Sequence, residues 1–192
     1  MNTLLLIDIQ TGFEDSFWGE RNNPFAEDRA ADLIAHWRAR RLPIVHVRHV
    51  SITPGSTLSG SGTRFKPQAA PIAGESIYEK SVNSAFIGTN LHEHLKSLGT
   101  NELTICGLTT PHCVSTTTRM AANLGFKVWL AADACAAFTS NADVSFDDGP
   151  ALTAAEIHRT ALAHLHGEFA YVCQSSDIIE KTSMTSAVWP LI

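Results

Sequence analysis

The sequence has no extended run of Lys or Arg and no CxxC pair among its four cysteines. It also has no apolar stretch near the ~20 residues that a membrane-spanning helix needs. The first gap, with a formal net charge of −5, argues against nucleic acid or an anionic membrane as a partner. The densest basic patch, Arg38-Ala39-Arg40-Arg41, suits the last turn of a helix, where cations are stabilised. No charged segment precedes the short apolar run Leu4 to Ile7, so neither a signal peptide nor a span is expected. The missing CxxC spacing argues against a zinc site or a disulfide framework, and a reducing cytoplasm is the simplest setting. Charged residues are scarce too, 17% against 44% apolar, which suggests that part of the surface is covered by other subunits. At 192 residues the chain, 1–192, is expected to form one domain with a sizeable core.

What is present alternates in the strand–helix manner. Strands are predicted at Thr3 to Asp8, Pro43 to Val50, Ile77 to Glu79, 102–106, Phe126 to Ala131 and Phe169 to Cys173. Between them the spacing predicts a helix opened by Asn23-Pro24 and running to about Arg41, with Ala30, Leu33, Ile34 and Trp37 as its buried stripe. Further helices are predicted at Leu91 to Leu98, closed by Gly99, at Ser115 to Leu124, at Thr153 to His166 and from Ser175 to Lys181. Ser51 to Ser76 is rich in Ser, Gly, Thr and Pro, a long excursion of the kind that is functional or mobile. Ala134 to Gly149 reads as a second loop. The alternation implies a parallel sheet with helices on both faces.

Three segments carry chemistry. In Gly107-Leu108-Thr109-Thr110-Pro111-His112-Cys113-Val114, Cys113 stands where a strand turns into a helix. Unpaired N–H groups and the positive end of the helix dipole there favour thiolate, the nucleophilic form. In Leu4-Leu5-Leu6-Ile7-Asp8-Ile9-Gln10, an apolar run of central-strand type delivers Asp8 to the sheet edge where ligands bind. In Tyr78 to Phe86, Lys80 is a lone cation. Each has a plainer reading: a buried cysteine in a turn, a turn aspartate, and a surface lysine paired with Glu75 or Glu79. Cys106 and Cys173 lie in apolar runs and read as core, whereas Cys135, near a strand end, fits either reading.

In order, Asp8 with Gln10, Lys80 before Ser84-Ala85-Phe86, and Gly107, Thr110, Cys113 and Val114 followed by Thr118-Arg119 resemble the isochorismatase-like cysteine hydrolases. That family includes nicotinamidases, N-carbamoylsarcosine amidohydrolases and isochorismatase. The resemblance spans nearly the whole chain. It implies a three-layer α/β/α sandwich with a six-stranded, mainly parallel, Rossmann-like sheet, in which the strand before the Cys adjoins the first strand. It implies Asp8, Lys80 and Cys113 as a catalytic triad, an oxyanion hole from the backbone of Thr109 and Cys113, and a cis bond at Leu108-Thr109. The sequence alone nominates Thr110-Pro111 as the cis bond instead. Gln10, Phe13, Phe86 and His112 are expected to line the pocket, together with the loops 11–25, 51–76 and 134–149. The family also forms dimers and tetramers, and the apolar tail Val188-Trp189-Pro190-Leu191-Ile192 reads as part of such an interface.

The expected chemistry is covalent hydrolysis of a small amide or ureide, with Asp8 moving protons and Cys113 forming a thioester. Two alternatives stand beside it: hydrolysis of a vinyl ether of the isochorismate type, and a non-catalytic small-molecule binder. A Cys113–His112 dyad is the rival mechanism. Nine histidines invite a metal, and nicotinamidases bind zinc through an Asp and histidines after the second strand. Here that stretch reads His49-Val50-Ser51-Ile52-Thr53-Pro54, without an Asp-x-His, so no metal and no cofactor are expected.

Overall fold

Leu4, Leu5, Leu6 and Ile7 are at most 2% exposed, as a strand covered on both faces requires. They belong to β1 (Asn2–Ile7), which lies in the middle of the sheet. In the computed structural model, which describes residues 1–183, the other strands are β2 (Ile44–His49), β3 (Ser76–Lys80), β4 (Glu102–Leu108), β5 (Lys127–Ala136) and β6 (Tyr171–Cys173). Their order is β3-β2-β1-β4-β5-β6, and every pairing is parallel. The helices are α1 (Ala26–Ala39), α2 (Leu91–Ser97), α3 (Ser115–Asn123), α4 (Ala154–Ala163) and α5 (Ser175–Ser183). This is the three-layer α/β/α fold. Its strand order reverses between β1 and β4, and in doubly wound sheets ligands bind at that crevice, beyond the C-terminal strand ends. The apolar tail at 188–192 lies outside the described residues. Among the described residues no helix is long and apolar enough to cross a membrane.

The predicted stripe of α1 is the buried one: Ala30, Leu33, Ile34 and Trp37 are each at most 1% exposed. The helix nevertheless starts at Ala26, not at Pro24. Asn23 adopts φ +43° and turns its amide to the carbonyls of Ala132 (3.2 Å) and Cys135 (2.8 Å) instead of capping the helix. Those carbonyls belong to a strand that the sequence ends too early. β5 continues from Ala131 to Ala136 through an irregularity in which Ile105 faces Leu130 but Gly107 faces Cys135. Alanine-rich residues have little strand preference of their own, and pairing with β4 decides their conformation.

The excursion 51–76 is knitted to the body of the protein. Thr11 N–H bonds Arg64 O (2.9 Å) and Lys66 N–H bonds Ile9 O (3.0 Å). A Cβ added to Gly62 would stand 1.8 Å from Thr57 O, so only glycine permits this approach. Beneath it, Phe13, Ala26, Leu58, Leu108, Ala136 and Phe138 form a second small core with Trp18 against them. Lys66 and Arg21 both reach the buried carboxylate of Glu27, at 2.9 Å each.

Glu75 ties the end of the same excursion to α1 and β2. It accepts from Arg38 Nε (2.7 Å), His46 Nε2 (2.8 Å) and Ile72 N–H (3.0 Å). Burial raises the Glu75 carboxyl, but Arg38, the Ile72 N–H and His46 outweigh it and bring it down to about 2. A carboxylate lowered on folding stabilises fully above its unfolded value, and that contribution is lost as pH falls through the folded one. Glu75→Gln is therefore expected to lower stability at pH 7 and to flatten the acid limb between 4.5 and about 2. Urea midpoints measured across that range for both proteins check this, and equal acid slopes would contradict it.

Candidate active site

Asp8 follows β1 directly and is fully buried, with φ +52°, a conformation uncommon outside glycine. Gly107 brings β4 hard against that point. It pairs with Ile7, and a Cβ there would stand 2.0 Å from Ile7 O. β4 ends at Leu108, and the Leu108–Thr109 peptide is the cis bond, rather than Thr110–Pro111. A single π-helical turn, Thr110–Val114, then carries Cys113 into α3. Lys80 is the last residue of β3, and its side chain is 0% exposed. Three strand ends thus converge on one buried point.

The lysine is the hub. Its Nζ lies 2.5 Å from Asp8 Oδ2, 3.3 Å from Cys113 Sγ and 3.3 Å from His49 Nδ1. It pairs with neither Glu75 nor Glu79, which turn to Arg38 and Arg48. Asp8 Oδ1, also buried, has no hydrogen-bond partner. A ligand atom from each of Asp8, His49 and Cys113 lies within 4.8 Å of the other two. The thiol also reaches the Oδ1 of exposed Asn83 at 3.7 Å.

Electrostatics corrects one expectation. Burial pushes the Cys113 thiol up to about 12, and the Asp8 charge adds to that, against the opposing pull of Lys80. Desolvation outweighs the neighbouring ammonium, which favours the protonated thiol over the thiolate expected from the helix end. Burial likewise raises Asp8, with Lys80 opposing. Burial and then Lys80 lower His49, which favours the neutral imidazole. The arrangement is a protonated thiol beside a carboxylate with one unpaired oxygen.

The expected pocket residues divide. Gln10 is buried and bonds both backbone groups of His49, Oε1 to its N–H (2.7 Å) and Nε2 to its C=O (2.9 Å). Phe13 sits in the second small core, stacked 5.8 Å from Phe138. Phe86 packs in the main core, 6.2 Å from Phe126. His112 is exposed, and its ring hydrogen-bonds the backbone of Asn141. The histidine at the thiol is His49, which the sequence shows only as one of nine. Asn83, three residues after Lys80, is the other side chain at the thiol that the sequence does not single out. Cys106 and Cys135 are fully buried, and Cys173 is partly so.

The donor set Asp8, His49 and Cys113 has the chemistry of a metal cage, but Lys80 Nζ occupies its centre. A metal ion would have to displace that ammonium, so the residues do not fit one as they stand.

Comparison with known proteins gives a consistent result. A family model described as isochorismatase domain matches residues 2–177. The uncharacterized isochorismatase family protein YrdC of Bacillus subtilis is 42% identical over 180 residues, 92% of this chain and 93% of its own. A crystal structure assigned to the isochorismatase family, from Chromobacterium violaceum, is 44% identical with a TM-score of 0.88, covering 95% of this chain and 93% of that one. Nicotinamidase 3 of Arabidopsis thaliana is 28% identical over 88% of this chain and 82% of its own.

Proposed function

The chain belongs to the isochorismatase family of hydrolases, and within it we propose a cysteine-dependent amidohydrolase that cleaves a C–N bond of a small amide or ureide. The observation that supports this reading best is the Cys113 thiol beside Lys80 and a carboxylate with one unpaired oxygen. Asp8 Oδ1 takes the thiol proton as Cys113 Sγ attacks the carbonyl carbon, so no free thiolate has to form first. The backbone N–H groups of Thr109 and Cys113 receive the oxyanion. As the tetrahedral adduct collapses, its C–N bond breaks and the amine leaves with the proton held by Asp8. Water then attacks the thioester and gives a proton to Asp8, which returns it to the departing sulfur. The relative named as a nicotinamidase supports an amide as the substrate class.

The test is a screen of amides and ureides, following ammonia or amine release, with isochorismate assayed beside them by release of pyruvate. Wild type is expected to turn over at least one amide or ureide, and Cys113→Ala none. A thioester adduct should appear on Cys113 by mass spectrometry after rapid quench. Turnover of isochorismate by Cys113→Ala at the wild-type rate would instead establish vinyl-ether hydrolysis. Because Lys80 fills the cage, chelation is expected to leave activity unchanged.

The reading includes a homo-oligomer, a dimer or tetramer, in a reducing compartment such as the cytoplasm. Large apolar side chains support association: Ile52 is 85% exposed, Phe146 82% and Phe17 69%. Light scattering at low micromolar concentration is expected to give a mass at least twice the 20.8 kDa of one chain.

A further inference from the structure

We propose that His49 is a positioning residue of this site, whose Nδ1 acceptor locks the Lys80 ammonium between Asp8 and Cys113. The inference rests on the reading of Asp8, Lys80 and Cys113 as the catalytic centre. An ammonium has three donors and no acceptor. Lys80 Nζ has three acceptors around it: Asp8 Oδ2, Cys113 Sγ and His49 Nδ1. With its side chain 0% exposed, Lys80 has no route to solvent for a donor left over. The third acceptor completes a three-point seat and fixes the direction of the N–H that faces sulfur.

The fold builds this seat deliberately. His49 and Lys80 are in-register neighbours on the parallel strands β2 and β3. Val50 N–H bonds Lys80 O at 2.8 Å, tying the two strand ends together. Gln10 then fixes the His49 backbone through both its N–H and its C=O. Because Lys80 can only donate, Nδ1 must be unprotonated, and the neutral ring carries its proton on Nε2. Burial and the Lys80 charge, which both disfavour imidazolium, keep it in that form. Protonation of Nδ1 would set a second donor against the ammonium and break the seat.

Two substrate-independent measurements test this. Imidazole 15N spectra of the labelled full-length protein at neutral pH are expected to show His49 as the neutral Nε2–H tautomer. The Nδ1–H tautomer would overturn the proposal, since that nitrogen could not accept from Lys80. The second measurement is the alkylation rate of Cys113 by iodoacetamide at pH 9, mapped by mass spectrometry. Lys80 lowers the thiol pKa, so a loosened ammonium costs thiolate. His49→Leu is expected to slow alkylation by about tenfold, one pKa unit. His49→Asn, whose Oδ1 replaces the Nδ1 acceptor, is expected to restore the rate to within about threefold. A merely structural role would not separate these two variants, so equal slowing in both, or wild-type alkylation in His49→Leu, would overturn the assignment. Neither readout requires turnover, so a failed substrate screen with these results intact would count against the proposed reaction and not against the seat.

Discussion

Replacing Asp8 with Asn is expected to cut turnover by about 10³-fold while making Cys113 easier to alkylate. The two effects run in opposite directions because Asp8 acts on the thiol in two ways. Its charge helps burial to hold the thiol at about 12. Its unpaired Oδ1 is, in the proposed reaction, the acceptor through which that thiol loses a proton during attack. The neutral amide removes both. Lys80 then has no carboxylate, and thiolate becomes its natural counter-charge, so the thiol pKa falls and alkylation speeds up at a given pH. Turnover fails nevertheless, because no group remains to protonate the leaving amine or to activate water. The comparison uses a substrate from the screen together with mass-mapped iodoacetamide labelling of Cys113. If Asp8→Asn slowed labelling and turnover alike, Asp8 would only be positioning the thiol. If it left turnover intact, another base would have to be found.

The same geometry sets the pH profile. In the proposed reaction Asp8 must be ionised to accept the proton, and its pKa is raised from 3.8 by burial, with Lys80 opposing. Activity is therefore expected to fall as pH drops through a value above 3.8. No further rise is expected near pH 8 to 9, where an ordinary thiol of about 8.5 would ionise, because Cys113 remains protonated there. A kcat/KM profile that climbs through pH 8.5 would mean that preformed thiolate is the nucleophile.

The sheet and the order of its site residues were legible because each is marked locally. Leu4 to Ile7 is too continuously apolar for an edge strand, and it runs straight into Asp8. Gly107 is marked in the sequence only as part of the segment that leads to Cys113, and in the fold it abuts Ile7. The sequence was least informative where a partner in space decides the outcome. Nothing local extends β5 through Ala134, Cys135 and Ala136; the β4 ladder does so. Asn23 before Pro24 has the form of a helix cap, and only the carbonyls exposed by the irregular β5 divert it. His49 resembles eight other histidines until Lys80 is placed beside it. Most telling is the thiol. Its helix-end position and nearby lysine both argue for thiolate, but the depth of burial outweighs them, and depth is a property of the whole fold.

Replacing Lys80 with Met is the change expected to cost the most stability. Met fills much of the lysine volume but leaves the buried Asp8 without its counter-charge, and breaking such a pair from one side costs about 3–5 kcal/mol. For a chain of this size that corresponds to a Tm lower by roughly 10 °C. The pH dependence gives the cause away. Without Lys80 the folded Asp8 pKa rises further above its unfolded value, so the folded state binds a proton that the unfolded state releases. Stability then falls as pH rises from 3.8 through the folded pKa, and the deficit against wild type shrinks toward pH 4. Denaturant midpoints for both proteins at pH 4.5 and 7.5 measure this. A second variant separates the charge from the packing: Asp8→Asn with Lys80→Met removes both charges, and Asn tolerates the positive φ at position 8. It is expected to recover part of the lost stability while remaining inactive, because no uncompensated buried charge is left. If the single Lys80→Met variant unfolded at the wild-type midpoint at pH 7.5, Asp8 would already be neutral in the folded protein, and the proton acceptor would have to be sought elsewhere.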